Sequence, residues 1–307
     1  MIRTEFTYPS AWKGQEIFGR IWQRNSDYIG VVQLVHGMQE HMGRYDRFAV
    51  FLAERGFVVY GNDHLGHGRS VKKETDFGYF GPEDGWKNLL ADMHTLMERA
   101  KREHPGLPFI LIGHSMGSLL AREFAAEYGD ELDMAVFLGT SGGSPVVKAA
   151  KKLAEMRGAK MGIKTPAKDL GRMAFGAYNR RFRPKRTNHD WLSTLDGAVN
   201  DFIMDPLCGR EFTYGGYRDL FAVLEQVSAK EWPYRVPKNL PMLLMSGKDD
   251  PVGDYGRGVR HVARSLLRAD CRKVSLRLYA GMRHELLQES REREVCEDLY
   301  SWICKYL

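Results

Sequence analysis

Short apolar runs alternate along the chain with segments whose apolar residues recur at steps of three and four. Tyr28–Val35, Phe57–Tyr60, Pro108–Ile112, Met134–Leu138, Pro241–Met245 and Val274–Tyr279 read as strands. A helix is predicted around Tyr45–Arg55, and another from the spacing of Trp86, Leu89, Leu90, Met93, Leu96, Met97 and Ala100. A third covers Met116–Ala126, and Val295, Leu299, Trp302, Ile303 and Tyr306 fall on one helical face near the C-terminus. Strands alternating with helices predict a mainly parallel sheet covered on both faces. The rhythm breaks after Ser141–Pro145. From about Val146 to Pro237 the chain is basic, contains Met and aromatic residues, and carries no strand run. The expected organisation is an α/β core in two pieces, 1–145 and 238–307, with a helical cap inserted at 146–237. No internal repeat or low-complexity tract interrupts it.

Composition adds little except through the placement of charge. With 307 residues, 43% of them hydrophobic, the chain can bury a large core. The net charge of +6 conceals an asymmetry: Lys148–Arg186 holds 13 Lys or Arg against Glu155 and Asp169, a net +11, so the remainder is about −5. No nucleic-acid-binding motif accompanies this patch, so a solvated helical surface is expected and no nucleic-acid partner. Val146, Ala149, Ala150 and Leu153 fall on one helical face beside Lys148, Lys151 and Lys152. That face either packs on the sheet domain or makes peripheral contact with anionic lipid. Cys208, Cys271, Cys296 and Cys304 have no disulfide or zinc spacing, no signal segment is evident, and no apolar run approaches a membrane span; a cytoplasmic protein is expected.

The chemistry centres on Gly113-His114-Ser115-Met116-Gly117, a G-x-S-x-G between a predicted strand and a predicted helix. Such a turn lifts a serine hydroxyl to the end of a sheet, beside the free N–H groups of a helix start. Serine needs a base, and the base an orienting acid. Working loops of such sheets lie at the carboxyl ends of strands. Asp249 and Asp250 follow the Pro241–Met245 strand, and His284 follows Val274–Tyr279, giving the order Ser, Asp, His. Either aspartate could be the acid at this level. An oxyanion hole would use the N–H of Met116 and that of Met38, which follows His36-Gly37 at an earlier strand end. Asp63, His64 and His67 lack a further ligand at a known spacing, so a glycine-rich structural loop is expected there and no metal. His94, His104, His189 and His261 carry no informative spacing.

The segment His36-Gly37-Met38-Gln39-Glu40-His41-Met42-Gly43-Arg44-Tyr45 resembles the H-G-x-x-E-H-x-x-R-Y signature of monoacylglycerol lipase and lysophospholipase-like serine hydrolases. Asp63–Ser70 resembles that family's D-x-x-G-x-G-x-S, Gly113–Gly117 its G-H-S-M-G, Gly247–Val252 its G-x-x-D-P-V, and His284-Glu285 its late H-E. The resemblance implies an α/β-hydrolase fold, with Ser115 as nucleophile, Asp250 as acid, His284 as base, Met38 and Met116 as oxyanion donors, and His36, Gly37, Gly113 and Gly117 shaping the supporting loops. It implies no cofactor and a small-molecule or lipid ester substrate, a lysophospholipid or monoacylglycerol. The cap resembles the family least, so small or aromatic esters, acyl transfer and amide hydrolysis stay open as uses of the same triad. Epoxide hydrolases and dehalogenases place Asp where Ser115 stands. A non-catalytic binder on this scaffold usually lacks a triad member, and none is missing here.

Overall fold

The structure, a computed structural model, describes residues 1–24 and 27–307. β1 (Ile2–Pro9) and β2 (Glu16–Gln23) form an antiparallel hairpin at the edge of an eight-stranded sheet. β3 (Gly30–Val35), β4 (Phe57–Asn62), β5 (Phe109–His114), β6 (Met134–Leu138), β7 (Met242–Gly247) and β8 (Val274–Tyr279) run parallel to one another. The strand order is β1-β2-β4-β3-β5-β6-β7-β8. β3 to β7 are buried at every position, which is why they read as unbroken apolar runs and not as alternation.

Both faces of the sheet are covered. α1 (Asp46–Ala53), α2 (Gly85–Glu103) and α3 (Met116–Glu127) follow β3, β4 and β5. Between β6 and β7 lie α4 (Val147–Met161), α5 (Lys168–Phe175), α6 (Asp196–Met204), α7 (Tyr214–Ser228) and α8 (Trp232–Arg235); α9 (Arg257–Arg268) precedes β8 and α10 (Glu292–Cys304) follows it. Successive residues of one strand point to opposite faces. Val32, Leu34, Ile110 and Ile112 therefore pack with Phe48 and Leu52 of α1 and Val295, Leu299 and Ile303 of α10. Val31, Phe109 and Leu111 pack with Met93, Leu120, Phe124, Val262 and Leu266 from α2, α3 and α9.

The insertion after β6 is helical. Among the described residues its extended pairing is one isolated bridge, Pro166 to Thr213. Arg122 of α3 holds both ends of it. This arginine is 2% exposed, donates to the Ser141 carbonyl at 2.8 Å and the Val227 carbonyl at 2.5 Å, and lies 4.3 Å from the Trp232 ring. The apolar side of α4 packs inward: Val147 and Ala154 join the core cluster and Ala150 and Leu153 pack against it, while Val147, Ala149, Ala150 and Leu153 also line a cavity beneath the insertion. Lys148 and Lys151 reach Glu225, and Arg157, Lys164 and Arg186 also meet acids, so five of the thirteen cations in the basic segment are paired.

Three features differ from the pattern. The β1–β2 hairpin is not foreshadowed: β1 is an edge strand exposed at most positions, and of its alternating Ile2, Phe6 and Tyr8 it buries Tyr8 and, in part, Phe6. α9 buries Val259, Val262, Ala263 and Leu266 behind a row of arginines. The last helix stops at Cys304, short of Tyr306, whose ring still packs 5.1 Å from that of Trp302. Among the described residues no helix is long and apolar enough to cross a membrane, and the four cysteines are free.

Candidate active site

Ser115 sits between β5 and α3 with φ 53° and ψ −119°, a conformation that costs a non-glycine residue about 1–3 kcal/mol. The surrounding packing holds it: the Ser115 N–H donates to the Leu138 carbonyl at 2.9 Å, bonding the turn to the neighbouring strand end. Two glycines permit the turn. A Cβ on Gly113 would lie 2.2 Å from the Gly117 carbonyl oxygen, and one on Gly117 would lie 2.2 Å from that of Val35.

The turn after β7 separates the two candidate acids. Asp249 is exposed, whereas Asp250 is fully buried and accepts a hydrogen bond from His284 Nδ1 at 3.1 Å. Ser246 Oγ donates to that same Asp250 oxygen, Oδ2, at 3.2 Å, and Oδ1 accepts the Val252 N–H at 2.8 Å. His284 and Ser115 line the same cavity. Among the described residues Ser115 Oγ has no hydrogen-bond partner, and neither does the N–H of Met38 or that of Met116.

The Met38 loop is tightly braced. His36 is wholly buried; its Nε2 accepts the His64 N–H at 3.0 Å, so its Nδ1–H is left to donate to the Gly37 carbonyl. The Gly37 N–H donates to Glu40 Oε1 at 2.7 Å. Arg44 donates to Glu40 Oε2 at 2.8 Å and bidentately to Glu285 at 2.6 and 2.8 Å. Tyr45 and His114 complete the cluster, both reaching Glu40 Oε1. Burial alone would raise the Glu40 pKa, but the His114 hydrogen bond and the Arg44 charge hold it well below the usual range.

Asp63, His64 and His67 do not converge as a ligand set. Asp63 accepts the Met42 and Arg69 N–H groups, each at 2.8 Å, and so ties the Met38 loop to the loop after β4. Burial pushes His64 and His67 down to about 3, leaving both neutral. His41 Nδ1 accepts the Gly43 N–H, so its Nε2–H donates to Asp205 of the insertion at 2.8 Å.

A cavity of about 710 Å³ opens above Ser115. Leu119, Ala150, Leu153, Phe221 and Leu224 line it, together with Phe175, whose ring stacks on that of Trp191, and with Gln39 and Glu285. Among the described residues no lysine or arginine is in its wall, and the three carboxylates there are all engaged: Glu40 and Glu285 share Arg44, and Asp254 pairs with Arg257. Trp191 had no sequence signal. Its ring lies 5.1 Å from that of His284, and the Trp191 and Leu192 carbonyls accept the N–H groups of His284 and Glu285. Arg283 donates to the Asp190 and Ser193 carbonyls. This stretch of the insertion is thus zipped onto the His284 loop, which only the assembled fold reveals.

A family model described as serine aminopeptidase, S33, matches residues 26–291. A monoacylglycerol lipase of Mycolicibacterium smegmatis is 29% identical over 303 residues, covering 96% of this chain and 95% of that one. The human monoglyceride lipase is 26% identical over 302 residues, covering 94% and 87%. The crystal structure of a highly thermostable carboxyl esterase from Bacillus coagulans, in complex with glycerol, matches with a TM-score of 0.93 at 30% identity, covering 100% of this chain and 99% of that one. The chain belongs to the serine aminopeptidase S33 family of α/β-hydrolases and is a serine hydrolase.

Proposed function

We propose that this protein hydrolyses neutral carboxylic esters carrying an aliphatic acyl chain, with monoacylglycerol as the leading substrate. In this reading Ser115 Oγ attacks the ester carbonyl while His284 Nε2 takes its proton, and Asp250 holds the imidazole by Nδ1. The Met38 and Met116 N–H groups, both without partners among the described residues, receive the developing oxyanion. The proton passes from His284 to the departing alcohol oxygen. Water, deprotonated by His284, then cleaves the acyl-serine ester and restores the enzyme. The insertion at 146–237 serves as the cap that encloses the acyl chain.

The observation that carries the substrate class is the cavity wall, apolar on the α4 and α7 side and without an uncompensated charge. A lysophospholipid phosphate would enter without a lysine or arginine in that wall, at the desolvation cost of an unpaired charge. The family description names peptide substrates, but a peptide's terminal ammonium would find Glu40 and Glu285 already committed to Arg44. The relatives named for monoacylglycerol support the same class. Because α4 turns its apolar face into the cavity, contact of the basic segment with anionic lipid would rest on its unpaired cations and vanish in high salt.

The test is a rate panel with monoacylglycerols, lysophosphatidylcholine and p-nitrophenyl esters, run on the protein and on Ser115→Ala. Monoacylglycerol turnover should exceed lysophospholipid turnover at least about tenfold, the effect of roughly 1.4 kcal/mol of unpaired charge. The variant should lose several orders of magnitude. Equal rates on the two lipids would sink the neutral-substrate reading, and an active Ser115→Ala would sink the mechanism.

A further inference from the structure

His114, the residue between Gly113 and the candidate nucleophile, has no part in the mechanism above, yet it is buried between the oxyanion loop and the base. Its Nδ1 lies 3.2 Å from Glu40 Oε1 and 3.0 Å from Tyr45 Oη; its Nε2 lies 3.3 Å from the carbonyl oxygen of His284. Its ring is 4.8 Å from the His284 ring.

The partners decide the protonation state. A carbonyl oxygen can only accept, so Nε2 must carry a hydrogen to bond it. An ionised carboxylate also only accepts, and Tyr45 donates its own hydrogen to Glu40 at 2.8 Å, which leaves its oxygen as a second acceptor for Nδ1. Both ring nitrogens therefore face acceptors. We infer that His114 is a buried imidazolium and a positioning residue, linking the backbone of the base His284 to the Glu40 carboxylate that orients the oxyanion loop.

The charges close under this assignment. Glu40 and Glu285 bring two negative charges to the cluster, Arg44 one positive, and the His114 imidazolium the second. The cluster is then neutral beside His284, whereas a neutral His114 would leave a buried net charge of −1. Burial by itself would drive the His114 proton off; the hydrogen bond and charge of Glu40, with the charge of Glu285, outweigh it and raise the pKa. The charged and titratable groups facing the ring are Glu40, Arg44 and Tyr45 from the loop after β3, and His284 and Glu285 from the loop after β8. The sign follows: the proton is held at neutral pH and is lost as pH rises through the raised value, taking both loop contacts with it.

The kinetic part rests on the esterase reading, but the protonation part does not. With histidine labelled with nitrogen-15 in the full-length protein, two-bond proton–nitrogen spectra at about pH 7.5 should show one ring with both nitrogens protonated, above the ordinary titration of histidine. His114→Gln should remove that signal, and Tyr45→Phe should shift it. A neutral tautomer for that ring overturns the inference. His114→Gln should lower kcat/KM on p-nitrophenyl butyrate about tenfold, through kcat with KM little changed, and flatten the alkaline fall of the wild-type profile. Unchanged kcat and an unchanged profile would refute the positioning role. If His114→Gln does not fold, the wild-type spectrum, with Tyr45→Phe for assignment, still decides. Fluorophosphonate labelling of Ser115 tests the hydrolase reading separately, so its failure would leave the ring's protonation state standing.

Discussion

Replacing Asp250 by Asn should disable the enzyme with little cost to folding, and the reason lies in how the amide must orient. The Val252 N–H donates to Oδ1 at 2.8 Å, so the Asn carbonyl oxygen has to remain there. The NH₂ then occupies the Oδ2 position, which now faces His284 Nδ1 at 3.1 Å and Ser246 Oγ at 3.2 Å. An NH₂ can only donate, so His284 Nδ1 must become an acceptor and the ring proton moves to Nε2. That tautomer cannot take the Ser115 proton. The same tautomer error in a serine protease triad costs about 10⁴-fold in rate, equivalent to about 5.4 kcal/mol of transition-state stabilisation. Buried hydrogen bonds are exchanged and not lost, so the melting temperature should move by no more than about 3 °C. The assay is kcat/KM on p-nitrophenyl butyrate, with Asp249→Asn as the partner variant. Asp249 is exposed, so its change should leave activity within about twofold, as for surface positions generally. Asp250→Asn retaining more than about a tenth of wild-type activity, a loss under about 1.4 kcal/mol, would refute the reasoning. So would Asp249→Asn causing the loss instead.

Two further outcomes follow from the packing. Ala150→Trp projects an indole into the cavity from α4; each methylene that no longer fits forfeits about 0.8 kcal/mol, roughly fourfold. Long-chain esters should therefore lose at least about tenfold in kcat/KM relative to butyrate once two methylenes are excluded, and equal losses for all chain lengths would show that the acyl chain lies elsewhere. Asp92 ties the N-terminal hairpin to α2, accepting from the Ala11 N–H and Ser10 Oγ, and burial pushes its pKa up to about 7. Because the folded state holds that proton more tightly than the unfolded chain, this group's contribution to stability falls as pH rises from the ordinary carboxylate range to about 7. The melting temperature of Asp92→Asn minus that of wild type should grow by about 2 °C or more between about pH 5 and pH 8; a constant difference would count against it.

Much of the fold was legible because its signals are local. β6 occupies the run Met134–Leu138 read from the pattern, since a fully covered strand is a continuous apolar stretch, and the edge strand β8 occupies Val274–Tyr279, where apolar and polar residues alternate. The β1–β2 hairpin escaped because β1 is an edge strand whose alternation, Ile2, Phe6 and Tyr8, is short and interrupted by Thr4, with most positions exposed. The glycines around Ser115 were readable for a related reason: a turn with φ 53° and backbone within 2.2 Å of where a Cβ would stand constrains residue type at fixed spacing.

The sequence by itself determined the order Ser115, Asp250 or Asp249, His284 after three of the strands, and the presence of a helical interruption after β6. The tertiary structure decided what those pieces face. Asp249 and Asp250 are adjacent in the chain, and only the turn after β7 buries one and exposes the other. Arg44 and Glu285 stand 241 residues apart, and no local periodicity encodes their pairing. The same holds for Trp191 against His284, and for the cavity that α4's apolar residues line, which its sequence does not show. Secondary structure follows from spacing along the chain; charge compensation and cavity shape depend on neighbours that only folding brings together.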